Sequence, residues 1–352
     1  MCKYQILLTP VEAYFFGGEK HSKSQQGIVM DYFVRSELYP QQTTLLGVLR
    51  YYLLMKNQCL NPQKIGKTNE ANQLIGKISF SYANSGEEQG FGKIKKISPL
   101  YFEKKHSCFY KENQKYLIPP LDNQFRLKKE YGEYLLEGYD AKKGYPSVLM
   151  NIVDNDSVVD FFKDVNKSPD SDFVFLQVDT VGNKKGLKGK SVDDGFYKQV
   201  RYKLNTDWYF SFEAEIDKKL AEEKQFVTFG AEKQLFTLKI KQIKEFTELK
   251  LPLSDRGLPA IFCVSDCFIK EDIWDYVTFA VNENISFRNL QSSNTSQNYS
   301  SFSKGYNRSK RYNLLKRGSV LYFENEVKRN NAIALFSNTN SENIGFNRIQ
   351  TF

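Results

Sequence analysis

The sequence predicts an α+β fold that grows richer in strands toward its C-terminal half. Three observations carry this expectation. Near residue 43, apolar residues recur at helical spacing, whereas 208–216 and 235–241 alternate apolar and polar with period two, and no heptad run or internal repeat competes with them. At 352 residues, 41% hydrophobic and 15% aromatic, the chain is long enough for two domains. The acidic stretch 151–172, with Pro169, is the expected boundary, giving domains 1–150 and 151–352.

In chain order, "YQILLTPVEAYFF" reads as a buried strand stopped by Pro10, and the polar stretch 17–27 as a flexible loop carrying His21. "YPQQTTLLGVLRYYLLMKN" opens on a proline turn with Thr43 or Thr44 as the helix N-cap. Leu45, Val48, Leu49, Tyr52 and Leu53 then line one apolar face. Gly47 costs helix stability there, so close packing on a sheet is its expected reason. From residue 77, "KISFSYA", "KIKKISPLYFEK" and "KYLIPP" read as strands, with a turn at Pro119-Pro120. Further on, Trp208, Phe210, Phe212, Ala214 and Ile216 point one way along a strand, and Phe236, Leu238 and Ile240 do so on the next, joined through a hairpin turn at Gly230. Cys263 and Cys267 read as small core residues. The stretch 292–305 is polar, and Val320–Phe323 is apolar on both faces, as for a strand covered on both sides.

Composition excludes several chemistries. Five cysteines with no C-x-x-C, and only His21 and His106, argue against disulfides and a structural metal. Asp193-Asp194 and Glu222-Glu223 sit among lysines and read as solvated loops. No phosphate-binding glycine motif and no positioned nucleophile is present, so no catalytic residue, metal or cofactor is expected. Neither a signal-peptide core nor an apolar run long enough to cross a membrane appears, which predicts a soluble, cytoplasmic protein with no membrane partner.

Charge is more informative. The net charge is +9, and residues 301–352 hold nine basic against three acidic residues, whereas 151–180 holds seven Asp and two Lys. Such clustering is the footprint of a polyanion binder. Two segments stand out. "VGNKKGLKGKSVDDGFYKQVRYKL" places Lys184, Lys185, Lys188 and Lys190 on a glycine-rich loop, followed by Lys198 and Arg201 on an aromatic strand. "YNRSKRYNLLKRGSVLYFE" places Arg308, Lys310 and Arg311 on an expected mobile loop, with Lys316, Arg317, Gly318 and Ser319 at the start of a strand. Glycine amides, lysine point charges and stacking arginines together suit single-stranded RNA. His21, Arg35 and Arg50 are further candidate contacts, although Arg50 falls just beside the apolar helix stripe, where it would snorkel.

The order "LLTPVEAYFFGG", "YPQQTTLLGVLRYYLL", "VGNKKGLKGKSVDDGFYKQVRYKL", "FVTFGAEKQLF", "LLKRGSVLYFE" and "IGFN" resembles the family of third Cmr subunits of type III-B CRISPR effector complexes, within the RAMP superfamily. The resemblance spans nearly the whole chain. It departs from the family at Gly17-Gly18, where an Arg-Asp is usual, at Lys316-Arg317, where a small residue is usual, and in a terminal glycine loop reduced to Gly345. The resemblance implies two ferredoxin-like (RRM-like) domains with inserted β-hairpins and loops, and no catalytic activity. Such a subunit grips the 5′ handle of the guide RNA (crRNA), docks on the large polymerase-like subunit, and caps neighbouring backbone RAMP subunits; contact with target RNA stays open. Two alternatives also stay open: a metal-independent RAMP endoribonuclease using His21 as general base, and a backbone protomer.

Overall fold

The computed structural model describes residues 1–17, 20–25, 28–60, 68–82, 88–104, 116–118, 126–137, 148–151, 158–162, 173–185, 191–230, 232–247, 257–292 and 306–352. The N-terminal part runs β1 (Cys2–Pro10), β2 (Lys20–Gln25), β3 (Ile28–Arg35), α1 (Gln42–Lys56), α2 (Asn69–Ile75), β4 (Ile94–Ile97), β5 (Tyr101–Lys104) and β6 (Tyr116–Ile118). A hairpin of β7 (Arg126–Glu130) and β8 (Glu133–Glu137) follows, then β9 (Val148–Asn151), β10 (Val158–Phe162), and the long antiparallel pair β11 (Phe173–Lys185) and β12 (Ser191–Leu204). Strand β13 (Trp208–Ile216) pairs with one side of β1, and the hairpin of β14 (Lys224–Phe229) and β15 (Gln234–Ile243) returns to its other side through β15. After it come β16 (Ala260–Cys263), a 3-10 turn (Glu271–Asp275), β17 (Val277–Val281), β18 (Asn284–Phe287), β19 (Leu290–Ser292), β20 (Tyr306–Arg308), β21 (Tyr312–Leu315), β22 (Val320–Phe323), α3 (Glu326–Phe336), α4 (Thr339–Asn343) and β23 (Ile349–Thr351). The fold is α+β, rich in sheet and sparing in helix.

Two sheets dominate. The larger runs β14-β15-β1-β13-β5-β6-β9-β10-β11-β12-β3-β2, with β4 pairing alongside β5 on β13, and the smaller runs β17-β22-β16-β23. Numbered by their own strands, β15-β1-β13-β4/β5 and β23-β16-β22-β17 share one antiparallel order, 4-1-3-2. Strand pairing crosses the expected division at residue 150, because β1 lies between β13 and β15.

The alternation read from sequence builds the main core. Trp208, Phe210, Phe212, Ala214 and Ile216 are buried together with Tyr4, Ile6 and Leu8, and with Phe236, Leu238 and Ile240. Helix α1 covers this face with Leu45, Val48, Leu49, Tyr52 and Leu53, each aliphatic side chain worth about 1.5–3 kcal/mol of burial. Its N-cap is Gln41 without a side-chain cap, one turn's start earlier than the threonines expected. Gly47 is exposed, and a Cβ built there meets nothing within 4 Å, so close packing is not its reason. In "KISFSYA", residues 77–82 form no strand. Instead Phe80 plugs an aromatic cluster with Phe268 and Phe346, and Tyr82 stacks on Phe268 at 4.3 Å.

The smaller sheet is apolar on both faces, as expected. Val320 and Tyr322 pack toward Tyr101 and Leu127, while Leu321 and Phe323 pack with Cys263, Cys267 and the helix residues Ala332 and Phe336. Phe268, Phe287, Leu314, Ile344 and Phe346 belong instead to the core of the larger sheet, so the C-terminal part of the chain contributes to that core, while the strands of the smaller sheet pack in two further clusters.

Candidate nucleic-acid interface

The sequence candidates separate into three places. The first is the ribbon at one end of the large sheet, formed by β11, β12, β3 and β2. There β3 pairs in parallel with β12, setting Lys198 beside Phe33 and Val200 beside Arg35. Arg35 is exposed, with its guanidinium 5.8 Å from the Phe33 ring centroid. Lys198 Nζ lies 2.8 Å from Asp179 Oδ2. Hydrogen bonds from Lys198 and then Gln177 hold the Asp179 carboxyl below its usual range, and the Arg35 charge adds to that pull. Arg35 and Lys198 thus sit in one cluster. Arg201, three residues on, points to the opposite face and donates to Gln199 Oε1 at 3.0 Å and to Glu232 Oε2 at 3.1 Å. Tyr197 lies across Gly182, where an added Cβ would stand 2.2 Å from its ring, so this glycine makes room for an aromatic over bare backbone.

The same ribbon carries His21, Lys184 and Lys185. His21 is opposite Phe33 in β2, a strand position rather than the flexible loop expected. Lys184 and Lys185 close β11, so the expected loop begins only after a strand; Lys188 and Lys190 fall outside the described residues.

The second place is the C-terminal hairpin. Residues 306–308 are β20, paired with β19, and 312–315 are β21, paired with β18, so Arg308 closes a strand rather than riding on a loop. Lys310 and Arg311 are exposed between the strands, with Lys310 Nζ 5.1 Å from the Tyr312 ring centroid.

The third place corrects the expectation. Arg317 is 1% exposed and turned into the interior. Its guanidinium stacks 4.7 Å from the Tyr39 ring, Nη1 donates to Leu100 O at 3.0 Å, and Nε stands 3.8 Å from Asp266 Oδ1. Asp266 also accepts from the Arg317 amide at 2.9 Å. Gly318 supplies φ +90° beside it, and Ser319 is fully buried, its hydroxyl donating to Lys316 O at 2.6 Å. Arg317 joins the two sheets, Gly318 and Ser319 bond within the smaller one, and all three are buried. Lys316 alone stays half-exposed, paired with Glu283 at 2.8 Å. Arg50 is likewise structural: it lies 5.5 Å from the Phe91 ring and donates to Ile78 O at 2.9 Å. Burial lowers its guanidinium to about 10, which leaves it charged at neutral pH.

A companion joint lies close by in sequence. Gln42 is fully buried, and its Nε2 donates to Ser98 O at 2.9 Å and to Ile344 O at 3.0 Å. Gly345, at φ +87°, leaves the space this amide fills, since a Cβ there would lie 2.0 Å from it. "YPQQTTLLG", "KRGSV" and "NIGFN" therefore meet in the interior. Sequence reasoning missed Tyr39, Gln42 and Asp266 as their partners, and Asp179 and Glu232 as counter-ions of the ribbon.

Among the described residues no group of three or more His, Cys, Asp or Glu is arranged to hold a metal, and no helix is long and apolar enough to cross a membrane. No family model matches the chain, and comparison with curated proteins gives no match. Solved structures do match. A chain in the cryo-EM structure of the Type III-B Cmr-beta bound to cognate target RNA aligns over 98% of this chain and 96% of its own, at 13% identity and a TM-score of 0.51. A chain of the same assembly with AMPPnP (state 1) aligns over 98% and 96% at 14% identity and TM-score 0.47. One from the Apo state aligns over 69% and 98% at 11% identity and TM-score 0.28. The first of these likenesses, end to end, shows that this chain has the fold of a chain found in that assembly.

Proposed function

We propose that this protein is a non-catalytic RNA-binding subunit of a type III-B CRISPR (Cmr) ribonucleoprotein effector. It grips the 5′ handle of the guide RNA and docks on the large polymerase-like subunit, beside backbone RAMP subunits. The observation that carries the reading is the fold held in common over 98% of the chain with a chain from a Cmr-beta bound to target RNA. Support comes also from the shared 4-1-3-2 strand order, read here as two ferredoxin-like units, 1–243 and 258–352, with the ribbon inserted in the first. On the ribbon, Arg35 on Phe33 and Lys198 on Asp179 form the grip: a phosphate takes Lys198 from Asp179, while the arginine plane stacks on an unpaired base.

The test is binding of the full chain to guide RNA with and without its handle, across a salt series. Arg35→Gln with Lys198→Gln is expected to weaken handle binding through the lost base stacking and to flatten the slope of log affinity on log salt by about 0.7, for the one phosphate contact that Lys198 makes. Equal affinity of wild type and double variant overturns the assignment. Repeat RNA incubated in EDTA and cut by the wild type, but not by His21→Ala, would transfer the reading to an endoribonuclease.

A further inference from the structure

The free edge of the large sheet carries a second surface that the ribbon does not explain. Strand β14 is the terminal strand of the described path, paired only with β15. Its residues alternate: Val227 and Phe229 are buried under α1's side of the sheet, whereas Lys224 and Phe226 face outward. Across the pair, Lys224 stands directly opposite Lys239, and Phe226 opposite Thr237. Phe226 is 63% exposed, and both lysines are exposed. Like charges directly opposed on one sheet face destabilise it. The carboxylates nearest in sequence do not relieve this. Glu222 accepts the Gln242 amide at 2.9 Å, and Glu223 is held at 2.5 Å by both Tyr52 and Lys56. Among the described residues, neither Lys224 nor Lys239 has an ion-pair partner.

A ring largely exposed to water, one pleat from two facing and unanswered cations, has the chemistry of a base-stacking platform flanked by phosphate contacts. A second copy of this chain fits poorly, because pairing two β14 edges would gather four such lysines on one face. We propose that Lys224, Phe226 and Lys239 form a second site for single-stranded nucleic acid, with a base stacked on Phe226 and its flanking phosphates held by the two lysines. This goes beyond the handle grip, since it stands on residues 224–239 alone.

The full chain is mixed with a single-stranded RNA oligomer carrying 4-thiouridine, irradiated, digested and mapped by mass spectrometry. Crosslinks are expected within 224–239 as well as on the ribbon. Phe226→Leu, which keeps an apolar surface residue but removes the π face, is expected to weaken binding about tenfold or more, and Phe226→Trp to restore it. Lys224→Gln with Lys239→Gln is expected to flatten the salt slope by about 1.4. All are made both in wild type and in the Arg35→Gln, Lys198→Gln background, with thermal melts to verify folding; the side chains are exposed, so melts are expected to match. A loss that appears in both backgrounds supports the second site whatever becomes of the ribbon. Unchanged affinity of Phe226→Leu together with crosslinks confined to the ribbon overturns it. So does a dimer in native mass spectrometry that Phe226→Leu dissolves without altering RNA affinity.

Discussion

Burying an arginine destabilises a protein unless its charge is answered; Arg317 is met by the Tyr39 ring, the Leu100 carbonyl and the Asp266 carboxylate at 3.8 Å, while its Nε and Nη2 make no hydrogen bond among the described residues. Removing its side chain leaves the Asp266 charge buried with no cation beside it, held only by the backbone amide of residue 317. Arg317→Ala is expected to cost about 3–5 kcal/mol in chemical denaturation, and Arg317→Lys to rescue little, because an ammonium lacks the planar fork. A variant that unfolds like wild type would put Arg317 back on the surface. Five cations in a row look alike in sequence; what sorts them is a carbonyl 217 residues away, which local pattern does not reveal. Arg50, expected as an RNA contact or as a snorkelling side chain, is held instead by the Phe91 ring and the Ile78 carbonyl. A second residue-scale effect concerns pH. On the outer face of β13, Glu213 is buried; that burial, with the charge of Glu103 nearby, pushes its carboxyl above the usual range, although Thr247 donates to it at 2.6 and 2.8 Å. A folded-state pKa above the unfolded one means the native state binds the extra proton. Stability is therefore expected to fall as pH rises past the ordinary carboxylate range, and Glu213→Gln to flatten that decline in melts run from acid to neutral pH.

At the scale of elements, α1 separates packing from propensity. Leu49 is fully buried, so Leu49→Ala is expected to cost about 2–5 kcal/mol. Gly47, two residues earlier, faces open space, so Gly47→Ala is expected to stabilise by about 0.5–1 kcal/mol in the same melt. A destabilised Gly47→Ala would mean that something unseen packs there. The strands of the second half were legible because one face of each is apolar and the period is two. Glu213 and Ser211, buried on the supposedly polar face of β13, were not, since what covers a face is decided elsewhere in the chain. "KISFSYA" shows the converse. Its alternation suits a strand, yet Phe80 is buried by rings from Phe268 and Phe346, and among the described residues no strand pairs with it. The ribbon was half legible: the aromatic, basic strand β12 was evident, but β2 and the parallel pairing that brings Arg35 to Lys198 depend on long-range register.

The N- and C-terminal parts of the molecule share two of its apolar clusters. Phe80, Phe268, Phe287 and Phe346 share rings across the line between the sheets, and Gln42 and Arg317 add polar joints. Calorimetry is therefore expected to show a single cooperative transition, and residues 258–352 expressed alone to aggregate, with Phe268 and Phe346 laid bare. Two separate transitions would refute this. The placing of β1 has a temporal consequence. The first nine strand residues can complete their ladder only against β13 and β15, which end at Ile216 and Ile243. At about 5–20 residues per second, a ribosome needs roughly 10–50 s to deliver those partners. Through that interval the nascent β1 keeps Tyr4, Ile6 and Leu8 unpaired, and loop closure over such a span is intrinsically slow. Birth of this protein is thus a waiting problem, in which whatever shields the emerging chain during synthesis governs how much native product is made.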